Sequence, residues 1–411
     1  MKISTLTPKA IPTLKGPAII DGIARKSIFR LLKNLQGGQL KIIEDGREQV
    51  FGDSAGEIKA QVNISNPAFY RMLLTRGTTG AGEAYMLSFW QTPDLTEVIR
   101  LMSRNMQQIE QMDGGLASMG LIMQKVKHWL CSNSLLGARR NIHAHYDLSN
   151  DLFEYFLDSK MMYSSAIFND QAEDLEQAAE YKLKMIGDTL ELSADDHVLE
   201  IGTGWGGLAI FLAQQYGCRV TTTTISHEQH NYARRRIVQL GLEDRIELLE
   251  KDYRLLEGTY DKLVSVEMIE AVGQKYLPVY FEKCNSLLKK GGKMMIQAIT
   301  IPEQRYQYAL NNVDFIQRYI FPGGSLPSVE VMLKTAGAHT DLQIENLQDI
   351  GLDYAQTLNK WHQRFNRDLG YVRSMGFDDT FIRLWQFYLS YCEGGFRERA
   401  ISTVQVLFRK V

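Results

Sequence analysis

The stretch HVLEIGTGWGGLA (197–209) sets an apolar run against a turn crowded with glycines. Glycines let backbone N–H groups and a helix start approach a ligand closely. Gly202, Gly204 and Gly207 match the G-x-G-x-x-G pattern of dinucleotide sites. Such a site also wants an acid at the end of the next strand, to hold the ribose. Here that strand ends Thr222, Thr223, Thr224, Ile225, Ser226, with no carboxylate before Glu228. No G-K-[ST] follows the turn, which excludes a P-loop. The turn has instead an acid inside its strand, Glu200, and a tryptophan between glycines, Trp205. A carboxylate at that place suits a cationic or hydroxyl-bearing ligand and would repel a pyrophosphate. His143 and His145 form an HxH pair without an evident third ligand, so no metal site is read there. Cys392, in YCEGGFR (391–397), has aromatic and uncharged neighbours that do not activate a thiolate.

The elements that must position these residues follow from periodicity. From about residue 174 helices and strands alternate: a helix over 174–191, strands at 197–202, 218–224, 245–250, 262–268 and 293–299, helices from His227 to Leu240 and over 276–289, and a closing strand at 403–408. This alternation predicts an α/β fold with a parallel sheet covered on both faces and ligands at the strands' C-terminal ends. About a hundred residues between Ile299 and Thr403 exceed what such a sheet needs. They hold aromatic-rich helices around Trp361, Trp385 and Tyr391, where substrate specificity is expected. Residues 1 to about 130 read as a smaller α+β domain, strand-like from Lys41 to Ile64, then helical at 66–77 and 94–112. The paired glycines of 113–121 mark a joint.

The chain has 411 residues, too many for one core. Its net charge of −2 argues against a dedicated nucleic-acid binder. Residues 1–43, however, carry eight Lys/Arg against one acid, Asp21. Within them, 23–35 spaces Ile28, Leu31, Leu32 and Leu35 helically, with Arg25, Lys26, Arg30 and Lys33 largely between. Such a helix either lies on an anionic lipid surface or packs on its own domain. The four cysteines, far apart and without CxxC, fit a reducing cytoplasm. No leader pattern and no long apolar run is evident, so a cytoplasmic protein is expected.

The strand, acid and glycine turn resemble the first motif of class I S-adenosylmethionine methyltransferases. A longer series follows in order: HYDLSNDLFEYFLDSKMMYSSAIF (145–168), LEIGTGWGGLA, TTISHEQ (223–229), DYR (252–254), SVEMIEAVG (265–273), YIFPGGSLPS (319–328) and YCEGGFR. This series resembles the cyclopropane-fatty-acyl-phospholipid synthase family from about residue 140 onward, and more loosely through GEAYMLSFW (82–90). The resemblance implies a class I methyltransferase domain over 131–411 with acyl-chain-binding insertions, behind a lipid-docking domain over 1–130. It implies methyl transfer to the cis double bond of an acyl chain in a membrane phospholipid, through a carbocation that loses a proton as a cyclopropane ring closes.

It further implies that Tyr163, Ser164, the turn with Glu200, Gly202, Gly204, Trp205 and Gly206, then Thr224, Ser226 and Gln229, and Tyr253 with Arg254, hold S-adenosylmethionine. The base of the family is a bound bicarbonate ion. The matching holders are Ser165, Glu270, Gln297, the backbone of Ile299 and Tyr354, and Cys392 matches a cysteine sometimes given a catalytic role. Glu267, three residues before Glu270, is read as sharing the site, the alternative being a cap on the following helix. The chain departs from the family pattern at three places: Ser165 stands where many members have cysteine, Gln297 where some have histidine, and Ala271 where some have histidine after the glutamate. Ser165 and Gln297 still donate hydrogen bonds to an anion but carry no positive charge. Loss of a different proton would leave a methyl-branched alkene, and reduction a methyl-branched saturated chain. A lipid-binding protein without catalysis is the reading of a different class. The resemblance also implies peripheral contact with the inner face of the membrane and a homodimer.

Overall fold

The computed structural model describes residues 18–106 and 149–411. Cys131, the His143–His145 pair, the joint at 113–121 and the boundary at 130 lie outside the described residues. The chain forms two compact units. One comprises residues 1–130, 311–320 and 365–400, and the other 131–310, 321–364 and 401–411.

In the first unit, helix α1 (Ala18–Leu32) leads into strands β1 (Gly38–Glu44), β2 (Arg47–Gly52) and β3 (Ile58–Ile64). Helix α2 (Ala68–Met86), the short β4 (Trp90–Gln91) and helix α3 (Leu95–Arg104) follow. The sheet order is β2-β1-β3-β4. β1 and β2 meet at Asp45 and Gly46, both with positive φ, as a tight hairpin turn demands. α2 runs past its expected end because Gly77 (φ 54°, ψ −135°) absorbs a kink that a residue with a side chain resists. The helix Asp379–Arg397 packs its apolar face on α2 and α3, so the aromatic helices with Trp385 and Tyr391 belong to this unit. The apolar stripe of 23–35 turns inward: Ala24, Ile28, Leu32 and Leu35 are buried. The outward face of α1 carries Ile19, Ile20 and Ile23 with Lys26 and Arg30, and Lys33 just beyond the helix is exposed too.

The second unit is built on β5 (His197–Ile201), β6 (Arg219–Thr224), β7 (Ile246–Glu250), β8 (Tyr260–Val266), β9 (Leu288–Thr300), β10 (Leu342–Asp349) and β11 (Ser402–Lys410). Their order is β10-β11-β9-β8-β5-β6-β7. The pairs from β9 to β7 are parallel, whereas β11 lies antiparallel between β9 and β10. Both faces are covered. Val198, Val220, Val264 and Met295 pack with Leu183, Ile186, Leu208 and Leu212 on one side. Leu199, Ile201, Leu263 and Ile296 pack with Tyr280, Phe281 and Met332 on the other. Consecutive strand residues thus feed opposite cores, as a two-sided sheet requires. β10 departs from the expected pattern: only its Leu342 is buried, so no alternation marks it in the sequence.

Candidate active site

The chain reverses direction across the sheet between β5 and β8, and the site lies at the C-terminal edge there. β5 ends at Ile201 and the chain turns through Gly202, Gly204 and Gly206, with φ of 106°, 53° and 86°. Only glycine takes that succession without strain. Gly206 caps the helix Gly207–Tyr216, and Gly202 and Gly204 keep accessible surface. Glu200, inside β5, is buried and accepts the Thr222 hydroxyl at 2.5 Å. Burial pushes its carboxyl up to about 8. The Trp205 side chain points away from the turn: it is 1% exposed, donates to Asn150 at 2.8 Å and packs on Phe153. Its large apolar surface is better satisfied in the core, so Trp205 offers a ligand its backbone alone.

At the end of β6, Ser226 caps the helix His227–Gln239 by accepting from the backbone N–H of Gln229. The Thr224 hydroxyl donates to Gln229 Oε1 at 3.0 Å, which leaves the Gln229 amide N–H groups free to turn outward. Tyr253 stands edge-on to Tyr280, and its hydroxyl is pushed up by burial. Arg254 is held by both Asp252 oxygens, at 2.8 and 2.7 Å, and so positions the loop rather than presenting a free guanidinium. Tyr163 lies among Phe153, Phe321 and Trp361, and Ser164 accepts from Lys182 at 2.7 Å.

A second cluster gathers just beyond β8. Ser165, Gln297 and Tyr354 all reach one carboxylate, and it belongs to Glu267. The backbone N–H of Ser165 donates to Oε1 at 2.9 Å, the Gln297 amide to the same oxygen at 2.8 Å, and the Tyr354 hydroxyl to Oε2 at 2.8 Å. Gln405 on β11 donates to Gln297 Oε1 at 2.9 Å, which fixes the Gln297 amide with its N–H groups toward Glu267. Tyr354 and Trp361, seven apart on the helix Gly351–Asn366, share one face. Asp353 and Thr357 of that helix accept from the backbone of Phe168 and Ala166, which locks the 163–168 segment in place. Glu270 Oε1 accepts the Ile299 N–H at 2.5 Å, and its buried Oε2 has no hydrogen-bond partner among the described residues.

Lys182, fully buried, adds the local positive charge. Burial lowers its ammonium to about 8, and the charges of Glu267 and Asp158 act against that. Burial raises Glu267, while its three donors and Lys182 hold it down. Burial and the neighbouring Glu267 charge push Glu270 up to about 8. Of the two carboxyls, Glu267 is the one that three hydrogen-bond donors face, the arrangement that favours a charged form.

The expected holders of a bicarbonate ion thus do converge, but around a side chain. The Ser165 N–H, the Gln297 amide and the Tyr354 hydroxyl end on Glu267, the Ile299 N–H ends on Glu270, and the Ser165 hydroxyl donates to the Ala166 carbonyl. A separate anion does not fit these donors. Lys182, Gln405 and the place of Glu267 are the site features that sequence reasoning missed. Lys182 had a signal: with Ala178 and Ile186 it falls on one helix face, and both neighbours are buried. Cys392 lies in the other unit, where burial pushes its thiol up. Among the described residues, no group of three or more His, Cys, Asp or Glu is placed to hold a metal ion, and no helix is long and apolar enough to cross a membrane.

This sheet order, with one antiparallel strand inserted and a glycine turn after its central strand, defines a class I methyltransferase fold. Residues 134–406 match the sequence model of the family described as mycolic acid cyclopropane synthetase, and the chain belongs to that family. It is similar to the tuberculostearic acid methyltransferase of Mycobacterium tuberculosis, 38% identical over 356 residues that cover 82% of this chain and 80% of the relative. It is also similar to the cyclopropane-fatty-acyl-phospholipid synthase of Escherichia coli K12, 35% identical over 363 residues, or 86% and 89% of the two chains. The crystal structure of the mycolic acid cyclopropane synthase CmaA1, complexed with SAH and CTAB, superposes with a TM-score of 0.62 at 26% identity, covering 66% of this chain and 98% of that one.

Proposed function

We propose that the protein transfers a methyl group from S-adenosylmethionine to a carbon of the cis double bond in an unsaturated acyl chain of a membrane phospholipid. The observation that carries this reading is one edge of the sheet with two neighbouring sites: the turn after β5 and the buried carboxylates after β8. S-adenosylmethionine supplies a methyl group activated by the positive charge on its sulfur. Around it, the accessible backbone of Gly202 and Gly204 and the carboxyl of Glu200 suit an amino-acid moiety, Gln229 a ribose, and Tyr253 the face of a base. Tyr163 and Phe321, both partly accessible, offer aromatic faces to a cationic carbon.

After methyl transfer the acyl chain is a carbocation that must lose a proton. Ring closure to a cyclopropane is the outcome that the family's description names. A methyl-branched chain is the second reading, and one observation favours it: a carboxylate fixed to the backbone stands where a mobile ion was expected. Proton NMR of lipid extracted after incubation with monounsaturated phospholipid vesicles and S-adenosylmethionine tests both. High-field ring methylene signals support the first reading and a new branch methyl signal the second. Unchanged lipid, with the cofactor bound, removes the acyl-methylation reading.

Contact with the membrane belongs to the same proposal. The outward face of α1 combines Ile19, Ile20 and Ile23 with Lys26 and Arg30, a composition suited to the interface of an anionic bilayer.

A further inference from the structure

We infer that Glu267 is the built-in anion of this site, so that the protein removes the proton with its own side chain and works without bicarbonate. The inference rests on the acyl-methylation reading and adds to it the identity of the base. Three donors from three separate segments end on the two Glu267 oxygens: the Ser165 backbone, the Gln297 amide and the Tyr354 hydroxyl. A free planar anion would need the same donors, so ion and side chain exclude one another.

The backbone gives a second, independent sign. Glu267 sits at φ 47°, in the left-handed region that a residue with a side chain enters at a cost of about 1–2 kcal/mol. Such strain persists where the surroundings over-determine it, and it concentrates at functional sites. Two hydrogen bonds tie Glu267 to Gln297: its backbone N–H donates to the Gln297 carbonyl at 2.8 Å, and its carboxylate accepts from the Gln297 amide at 2.8 Å. Lys182 and the Glu270 carboxyl complete the surroundings, and the charge of Lys182 acts in favour of a Glu267 carboxylate.

In the step itself a C–H bond breaks, either on the added methyl group, whose carbon then bonds to the cationic carbon, or on a carbon next to the cationic one. The C–H electron pair forms the new carbon–carbon bond, either the third side of the ring or a double bond, and the proton passes to a Glu267 oxygen. Cation and carboxylate become neutral product and neutral carboxylic acid. The acid returns its proton to water as the product leaves.

The test compares wild type, Glu267→Gln and Glu267→Gly, each in buffer stripped of carbon dioxide and again with bicarbonate added. Wild type is expected to turn over equally in both. Glu267→Gln keeps the volume and loses the basic carboxylate, and its turnover falls roughly 10²–10⁴-fold in either buffer, the usual worth of a positioned base. Glu267→Gly takes up the left-handed backbone freely, so it folds, and it releases all three donors. It is expected to be inactive without bicarbonate and to recover when the ion is added. Two further readouts separate this role from a structural one. Calorimetric affinity for S-adenosylmethionine stays within about twofold across the three proteins, because no Glu267 oxygen is assigned to that ligand. The NMR resonance of isotopically labelled bicarbonate broadens with Glu267→Gly and not with wild type.

Wild-type turnover that collapses on removal of bicarbonate and returns with it would overturn the inference, as would labelled bicarbonate binding to wild type. If wild type leaves lipid unchanged in every buffer, the acyl-methylation reading fails instead, and the labelled-ion experiment still decides whether Glu267 fills the site.

Discussion

Tyr354 holds Glu267 through one hydroxyl, and Tyr354→Phe removes that hydrogen bond while keeping the ring against Trp361. A charge-assisted bond of this kind is worth about 1.5–3 kcal/mol. The variant should therefore lose roughly tenfold to a hundredfold in kcat with little change in KM, measured by radiolabelled methyl transfer into vesicles. Glu200 makes a pH prediction. With its carboxyl near 8 it is largely protonated at pH 7, and a cationic ligand must expel that proton. Affinity for S-adenosylmethionine should rise about tenfold per pH unit toward 8 and level off above it. Calorimetry in buffers of different ionisation heat should record a released proton, and Glu200→Gln should abolish both effects. The same raised carboxyl means that stability without ligand falls as pH climbs from the ordinary glutamate range toward 8. At this scale the motifs named residues that the fold groups beyond β8: Ser165, Gln297 and Tyr354 end on Glu267, and Ile299 on Glu270. The sequence was silent where a role depends on convergence from distant segments, as for Lys182 and Gln405. Glu267 was expected in the site beside Glu270, but the three donors that end on it were expected to face an ion.

At the scale of elements, strands with one buried face or two were readable from their apolar runs: β5, β6 and β7 lie within a residue of the expected spans, β8 is shifted by two, and β9 starts five residues before its expected beginning. β10 was not, because seven of its eight residues are exposed and its place is set by pairing with β11 rather than by burial. The late helices could not be assigned to a unit from chain order, since what places them is side-chain fit. Gly82 on α2 shows this fit. A Cβ there would lie 2.4 Å from Phe315 and 2.9 Å from Phe387, residues of the two later segments that join the first unit. Gly82→Ala is expected to destabilise by about 1–3 kcal/mol, through overpacking in a filled core. Thermal unfolding should show a lowered Tm, and limited proteolysis should cut first within 311–320 or 365–400.

For the molecule as a whole, the composition of residues 1–43 predicted a basic face but misplaced its apolar partners. Ile28, Leu32 and Leu35 serve the core of the first unit, and the exposed isoleucines lie a turn or two earlier on α1. Reversing three charges, Lys26→Glu, Arg30→Glu and Lys33→Glu, removes about 1 kcal/mol of lipid attraction per cation and adds repulsion. Co-sedimentation with anionic vesicles should weaken by roughly 10²-fold or more. Wild-type binding should fall with added salt, as screened surface charges do. Turnover on detergent-dispersed lipid should survive the substitutions, since none of the three cations belongs to the site beyond β8.

β11 threads between β9 and β10 and carries Gln405 to Gln297, 108 residues earlier in the chain. Translation therefore delivers the parts of this centre in an unhelpful order. A nascent chain that has emerged as far as β10 already owns Glu267, Gln297 and Tyr354 or soon will, yet β9 and β10 still face a gap one strand wide. Long-range closure of this kind is slow and leaves sheet edges open to other chains meanwhile. The ribosome thus holds back the strand that aligns the Gln297 amide on Glu267, and the cluster beyond β8 is completed only when the last strand has paired.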